Sequence, residues 1–182
     1  MRLFTGIAIE NETRQILKNW LMDLRVAHPD LRWSAPDQWH VTLQFLGQTS
    51  DAWYDCIRQH LSEVREQTVQ VELAEPGFFE RAGVFHVEVK LSSSLLALHK
   101  ATENALGKCG FEAEARPYSP HITLARKRGR SRSAAFEQLR KHIGRHRLIS
   151  LPPFTAHEFL LYESVPGPSG SRYEVRERFP LM

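Results

Sequence analysis

The sequence predicts an α+β protein made of two pseudo-symmetric lobes, each a mostly antiparallel sheet backed by helices, around a central cleft. The first observation is an internal repeat: His40-Val41-Thr42-Leu43 and His121-Ile122-Thr123-Leu124 begin 81 positions apart. The same offset, without gaps, aligns further residues, namely Phe4 with Phe85, Leu17 with Leu98 and Pro36 with Pro117. One register that relates strand, helix, turn and motif indicates an internal duplication. In addition, 182 residues, 42% of them hydrophobic, suit one domain with one core.

The first half is predicted to contain five elements because runs rich in β-branched residues indicate strands and apolar residues at helical spacing indicate helices. In chain order these are a strand at Leu3–Ile9, a helix from Asn11 or Thr13 to about Ala27, a strand from about His40 to Leu46, a helix after the N-cap Ser50, and a strand at Val69–Leu73. A Pro36-Asp37 turn precedes the first motif, and Gly47 ends its strand.

The second half repeats this order of elements. The predicted elements are a strand at Val84–Leu91, a helix at Leu95–Cys109 closed by Gly110, a strand from His121 to about Arg126, a helix from Ala134 to about Ile143, and a strand at Leu148–Phe154. Two more apolar runs, Glu158–Tyr162 and Tyr173–Phe179, flank a loop rich in Gly, Pro and Ser. No Gly/Ser linker separates the halves. We therefore expect a single domain, 1–182, with lobes of about 1–80 and 81–182 that each carry one motif and share one cleft.

Positive charge is concentrated behind the second motif. The segment from Arg126 to Arg147 has nine Arg and Lys residues against the single acid Glu137, a net charge of +8, so the rest of a chain with a formal net charge of +3 carries −5. Basic clusters commonly bind phosphate or nucleic acid. A solvated helix face would have the same composition, so the segment alone leaves both interpretations open.

Composition also sets expectations for compartment and metal content. No window approaches 18 uninterrupted apolar residues, and the first ten residues have too short an apolar run for a signal peptide, so a cytoplasmic protein without a membrane anchor is expected. Cys56 and Cys109 are expected to be unpaired thiols in a reducing compartment. Because the nine His show no suitable spacing beside these cysteines, no metal site is expected.

The paired motif has the groups needed for acid–base chemistry on a phosphate. On a strand, residues i and i+2 face the same side, so His40 projects with Thr42, and His121 with Thr123. One neutral imidazole can activate water while a protonated one donates to the leaving oxygen, and two hydroxyls can bind the non-bridging oxygens. Two other interpretations are packing and a metal-binding histidine pair, but neither motif holds a carboxylate at ligand spacing.

At these residues the chain resembles the 2H phosphoesterases, and most of all the bacterial and archaeal RNA 2′,3′-cyclic phosphodiesterases of the 2′-5′ RNA ligase family. The resemblance covers nearly the whole chain: Arg2-Leu3-Phe4, the first motif with Phe45-Leu46-Gly47, Arg116-Pro117-Tyr118, Pro120 to Arg126 and the Tyr173 segment. It implies hydrolysis of a terminal RNA 2′,3′-cyclic phosphate to a 2′-phosphomonoester without metal or cofactor. It also implies ATP-independent formation of 2′-5′ bonds in some members.

Carried over by motif position, the resemblance implies a role for each site residue. His40 is the proton donor to the departing 3′ oxygen and His121 the proton acceptor that activates water. Thr42, Thr123 and Arg126 hold the phosphate. Phe45 and Tyr118 are candidates for stacking on the terminal base, with core packing as the equal alternative for each.

Three functions stay open from the sequence. The first is a phosphodiesterase acting on RNA with cyclic-phosphate ends, as a monomer that needs no protein partner. The second keeps the site but acts on small cyclic nucleotides or 2′-5′-linked oligonucleotides. The third is a non-catalytic RNA-binding module. The basic segment favours RNA over a mononucleotide, and the intact histidines and threonines favour catalysis.

Overall fold

The computed structural model describes residues 1–128, 133–145, 148, 151–167 and 170–182. Its strands are β1 (Arg2–Ala8), β2 (Arg32–Trp33), β3 (His40–Gln48), β4 (Val69–Val71), β5 (Leu73–Phe79), β6 (Val84–Val89), β7 (His121–Arg126), β8 (Phe154–Ala156), β9 (Glu158–Gly167) and β10 (Gly170–Pro180). Its α-helices are α1 (Asn11–Ala27), α2 (Asp51–Ser62), α3 (Ser93–Gly107) and α4 (Ser133–Arg145), and a short 3-10 helix spans Pro36–Gln38.

Eight strands form one sheet that runs through both halves of the chain. The order is β10-β9-β1-β3-β7-β6-β5, with β2 paired to β7, while β4 and β8 form a separate two-stranded sheet. The strand pairs are antiparallel, so the predicted α+β class is confirmed.

The centre of the sheet is the centre of the duplication. The strands β3 and β7 are paired at Val41 and Ile122, which are 81 positions apart. On either side, β3 pairs with β1 and β7 pairs with β6. A residue paired with its own repeat equivalent across an antiparallel ladder lies beside a local two-fold axis. The offset read from the sequence therefore marks the pseudo-symmetry axis of the sheet.

The outer strands do not follow the order of the two sequence halves. The C-terminal strands β9 and β10 extend the sheet beyond β1, at the N-terminal end of the chain. The strand β5, which precedes position 80, pairs with β6 in the second half. Because an open sheet edge accepts any strand with a matching apolar face, the chain order of the repeats does not dictate these outer pairings.

Repeat-related helices cover one face of the sheet and close the core. Leu17 of α1 and Leu98 of α3, which the offset aligns, are both fully buried. Val41 and Ile122 are also fully buried, so the central pair points into this core. The alternation that buries them turns the adjacent motif residues to the opposite face.

Two expectations from the sequence are wrong. Cys56 and Cys109 form a disulfide, with Cα atoms 5.9 Å apart, instead of two free thiols. Packing of α2 against α3 brings the cysteines within disulfide range, although 53 residues separate them in sequence. The expected strand at Leu148–Phe154 begins only at Phe154, where pairing with β4 starts, while residues 149–150 lie outside the described part of the chain.

Among the described residues, no helix is both long enough and apolar enough to cross a bilayer.

Candidate active site

The two motifs meet on the face of the sheet that lies opposite the main core. Continuing the antiparallel register from the Val41–Ile122 pair sets His40 opposite Thr123 and Thr42 opposite His121. All four side chains are partly exposed, whereas the intervening residues are buried. The fold therefore brings together the four residues that the sequence singled out.

Each motif histidine is oriented by the same local hydrogen bond. The Nδ1–H of His40 donates to the carbonyl oxygen of Gln38, and that of His121 donates to the carbonyl oxygen of Ser119, both at 2.8 Å. The acceptors, like the histidines, are 81 positions apart. Because Nδ1 is held as a donor, Nε2 is the ring nitrogen of each neutral histidine that is left to take up a proton.

A bulge after each motif changes which side chains reach this face. Between β1 and β3, Thr5 pairs with Gln44 but Gly6 pairs with Thr42, so Leu43 is an extra residue. Leu124 is the corresponding extra residue between β6 and β7, because His86 pairs with Thr123 and Phe85 with Ala125. A bulge reverses the alternation beyond it.

The residues that the bulges turn to the site face are Phe45 and Arg126. Phe45 is 63% exposed, and its ring centroid lies 5.8 Å from that of Phe4, a neighbour of His40. Burial chiefly, and to a smaller degree the positive charge of Arg126, lowers the pKa of both motif histidines. Both residues thus lie on the same face of the sheet as the histidine pair, and their contact with a ligand stays a prediction.

Aromatic rings surround His40. Its ring centroid is 4.7 Å from that of Phe4, 5.7 Å from that of Tyr162 and 5.0 Å from that of Tyr173. Strand β1 can approach this closely because residue 6 is glycine: a Cβ there would lie 2.7 Å from the carbonyl oxygen of Val41. Burial in these surroundings lowers the pKa of His40 to about 4, against the opposing effect of the Gln38 hydrogen bond.

The surroundings of His121 are different and include a third histidine. The ring of Phe79 lies edge-on to His121 at 4.8 Å, and that of His86 lies at 5.3 Å. His86 stacks on Phe79 at 4.0 Å and is only 1% exposed. Burial, and secondarily the charge of His121, lowers the pKa of His86 to about 4. Burial also lowers the pKa of His121, against the opposing effect of its hydrogen bond to Ser119.

Sequence reasoning missed His86, although a signal was present. In the strand predicted at Val84–Leu91, His86 and Glu88 alternate with buried Phe85 and Val87 beside the second motif. Neither ring nitrogen of His86 has a hydrogen-bond partner among the described residues. His86 on β6 pairs with Thr123 on β7, just as Gly6 on β1 pairs with Thr42 on β3.

A family comparison covers most of the chain. The family model of the 2′-5′ RNA ligase superfamily matches residues 16–165. The chain belongs to the 2′-5′ RNA ligase superfamily.

Two similar curated proteins are named RNA 2′,3′-cyclic phosphodiesterase. One, from Geobacillus stearothermophilus, is 27% identical over 188 residues, covering 98% of this chain but only 57% of that protein. The other, from Archaeoglobus fulgidus, is 26% identical over 177 residues and covers 96% of this chain and 97% of that protein. A solved structure from Thermus thermophilus has the same fold, with a TM-score of 0.77 at 22% identity, covering 99% of this chain and 97% of that one.

Tyr118 contacts the protein through both its hydroxyl and its ring. Its hydroxyl donates to the carbonyl oxygen of Thr42 at 2.8 Å, and its ring stacks on His99 at 3.9 Å. His99 in turn donates from Nδ1 to the carbonyl oxygen of Leu43, the bulge residue, at 3.0 Å. These contacts support the packing alternative for Tyr118, since they satisfy carbonyls of β3 where it diverges from β7.

Part of the basic segment has structural partners. Lys127 and Arg140 both form ion pairs with Glu80. Their cationic groups also lie over the rings of Phe136 and Phe78, respectively. The carboxylate of Glu80 thus offsets part of the +8 charge of the segment. Three more arginines of the segment, Arg130, Arg132 and Arg147, lie outside the described residues.

Proposed function

We propose that the chain is an RNA 2′,3′-cyclic phosphodiesterase that hydrolyses the cyclic phosphate at an RNA end to a 2′-phosphomonoester. The observation that carries the proposal is the histidine pair: two imidazoles on one sheet face, each fixed by the same Nδ1 hydrogen bond. The names of the relatives from Geobacillus stearothermophilus and Archaeoglobus fulgidus support the same reaction.

The proposed hydrolysis needs one proton acceptor and one proton donor. Nε2 of neutral His121 takes a proton from water as the water oxygen forms a bond to phosphorus. The bond from phosphorus to O3′ breaks, and protonated His40 supplies the proton that O3′ needs. Thr42 and Thr123 donate hydrogen bonds to the non-bridging oxygens, and Arg126 offsets their charge.

The pKa values of the site suit a reaction that begins when an anion binds. In the free protein, burial chiefly, and to a lesser degree the nearby positive charge of Arg126, lowers the pKa of His40 to about 4, so His40 is neutral near pH 7. A cyclic phosphate carries one negative charge, which opposes both effects and favours protonation of His40. Proton uptake on binding would therefore prepare the acid only when a phosphate is present.

The same groups can also carry out strand joining. If a 5′-hydroxyl of a second RNA replaces water, His121 removes its proton and O3′ again leaves with a proton from His40. The product is a 2′-5′ phosphodiester, and no ATP is consumed because the strained cyclic phosphate supplies the driving force. Hydrolysis and ligation would then differ only in the nucleophile.

Metal-free chemistry is part of the proposal. Among the described residues, the single cluster of three His, Cys, Asp or Glu side chains with ligand geometry is Cys56, His60 and Cys109. That cluster contains neither motif histidine. We therefore expect hydrolysis to continue in the presence of EDTA.

The test is turnover of an oligonucleotide that ends in a 2′,3′-cyclic phosphate, measured with EDTA present. We expect His40→Ala and His121→Ala each to lower kcat by at least about 10²-fold, while His157→Ala, at an exposed histidine, leaves it unchanged. Full activity in either motif variant would disprove the two-histidine mechanism. Loss of wild-type activity in EDTA would disprove the metal-free mechanism.

The product and substrate range separate the alternatives. A 3′-phosphate product would contradict the proposed leaving group. Equal kcat/KM for a cyclic mononucleotide and for longer cyclic-phosphate RNA would favour a nucleotide phosphodiesterase. Tight RNA binding without turnover in the wild type would favour a binding module.

A further inference from the structure

A second cluster of reactive side chains lies away from the histidine pair, where α2 meets the chain after α3. The Sγ atoms of Cys56 and Cys109 and a ring nitrogen of His60 all lie within 4.8 Å of one another. Cys56 and His60 are one helical turn apart on α2, so their side chains share a face of the helix. Cys109 reaches the same point from the end of α3.

The histidine of this cluster is oriented as metal-bound histidines usually are. Oε2 of Glu63 lies 3.1 Å from Nδ1 of His60, and Nζ of Lys108 lies 3.3 Å from the same oxygen. A carboxylate that accepts the Nδ1–H of a histidine leaves Nε2 as the electron-pair donor and makes it more basic. The Glu63 contact is thus of the kind that accompanies histidine ligation of a metal.

We propose that, when the Cys56–Cys109 disulfide is reduced, the two thiolates and Nε2 of His60 bind a divalent zinc-like ion, with water in the fourth position. Two thiolates and one imidazole form a donor set that suits tetrahedral Zn²⁺. A dithiol reductant supplies two electrons and two protons to the disulfide, and metal binding then releases the two thiol protons.

The separation of the two cysteines permits this exchange. Their Cα atoms are 5.9 Å apart, and two thiolates on one tetrahedral zinc lie about 3.8 Å apart, from Zn–S bonds of about 2.3 Å. With the Cα atoms at this distance, we expect rotation of the cysteine side chains to bring the sulfurs to that separation. The ion would link α2 to the end of α3, as the disulfide does in the oxidised protein.

Cobalt absorption tests the site directly. The full-length chain is reduced, freed of reductant without oxygen, and titrated with Co²⁺, which reports thiolate ligands by a sulfur-to-metal charge-transfer band and tetrahedral geometry by visible d–d bands. We expect one Co²⁺ per chain, displaced by one equivalent of Zn²⁺. The oxidised protein should show no charge-transfer band.

Variants assign the ligands. His60→Ala and Cys109→Ser should each weaken Co²⁺ binding at least about tenfold and change the bands, and Glu63→Gln should weaken it by about 10- to 100-fold. His157→Ala is the matched control and should bind as the wild type does. Because His60 is partly exposed, its variant is expected to fold, and circular dichroism checks this.

Two results would overturn the site. One is reduced wild type without a charge-transfer band. The other is a His60→Ala spectrum and affinity equal to the wild type. Phosphodiesterase activity is recorded in parallel and should be unchanged in His60→Ala, so failure of the metal site leaves the proposed reaction standing.

Discussion

His86 makes folding sensitive to acid, and removing it should remove part of that sensitivity. The side chain is 1% exposed, and its ring nitrogens have no hydrogen-bond partner among the described residues. Burial lowers its pKa from 6.5 to about 4. The folded protein therefore takes up this proton less readily than the unfolded chain, so acid favours unfolding. The substitution His86→Leu keeps an apolar group on Phe79 and removes the titration.

The magnitude follows from the two pKa values. The contribution of His86 to stability is complete above pH 6.5 and is lost as the pH falls toward 4. With a pKa of 6.5 in the unfolded chain and about 4 in the folded protein, protonation of His86 lowers the unfolding free energy at pH 4.5 by about 2.5 kcal/mol. Because the neighbouring His121 is partly exposed, solvent screens part of this energy, and we expect a loss of about 1 to 2.5 kcal/mol.

Urea unfolding at pH 7.5 and at pH 4.5 gives the unfolding free energy of each protein at both pH values. Between these pH values, His86→Leu should lose about 1 to 2.5 kcal/mol less unfolding free energy than the wild type does. His157→Leu, at an exposed position, should lose as much as the wild type does. If His86→Leu and the wild type have the same pH dependence, the lowered pKa of His86 is refuted.

Three further predictions concern the site and the disulfide. Because burial lowers the pKa of both motif histidines, a bell-shaped profile of kcat/KM should have its maximum below pH 6.5, and a maximum above pH 7 would contradict this. Reducing the Cys56–Cys109 bond in EDTA should cost about 4 kcal/mol of unfolding free energy for a loop of 53 residues, and Cys56→Ser should match the reduced protein in urea unfolding. Gly6→Ala should cost about 1 to 3 kcal/mol in thermal unfolding because its Cβ would lie 2.7 Å from a carbonyl oxygen, whereas Gly144→Ala meets nothing and should cost nothing.

The centre of the fold could be predicted from the sequence, but its margins could not. The repeat offset connects two strands through residues that face each other in the structure, Val41 and Ile122. Nothing in the periodicity of β9 or β5 indicates which edge of the sheet each strand will join. The disulfide was missed for a related reason: it depends on helix packing, and sequence spacing carries no information about that distance.

The motif residues could be predicted from strand alternation, whereas their neighbours could not. Simple alternation places Gln44 and Ala125 on the face of the histidines. The bulges at Leu43 and Leu124 bury both residues instead. Arg126 was expected at the phosphate only because the chain resembles a known family. The bulge explains why Arg126 lies on the face of the histidines, and its contact with the phosphate stays a prediction.

The departures from symmetry matter most for the proposed roles of the two histidines. His40 and His121 have the same motif, the same Nδ1 hydrogen bond and equivalent places beside the axis. A difference between donor and acceptor must therefore come from positions that the duplication does not preserve. On β1 the residue opposite the motif threonine is Gly6, which lets aromatic rings close around His40, whereas on β6 it is the buried, neutral His86 beside His121. Environments that differ in this way can set the pKa values of two like groups apart, which is what a paired acid and base require.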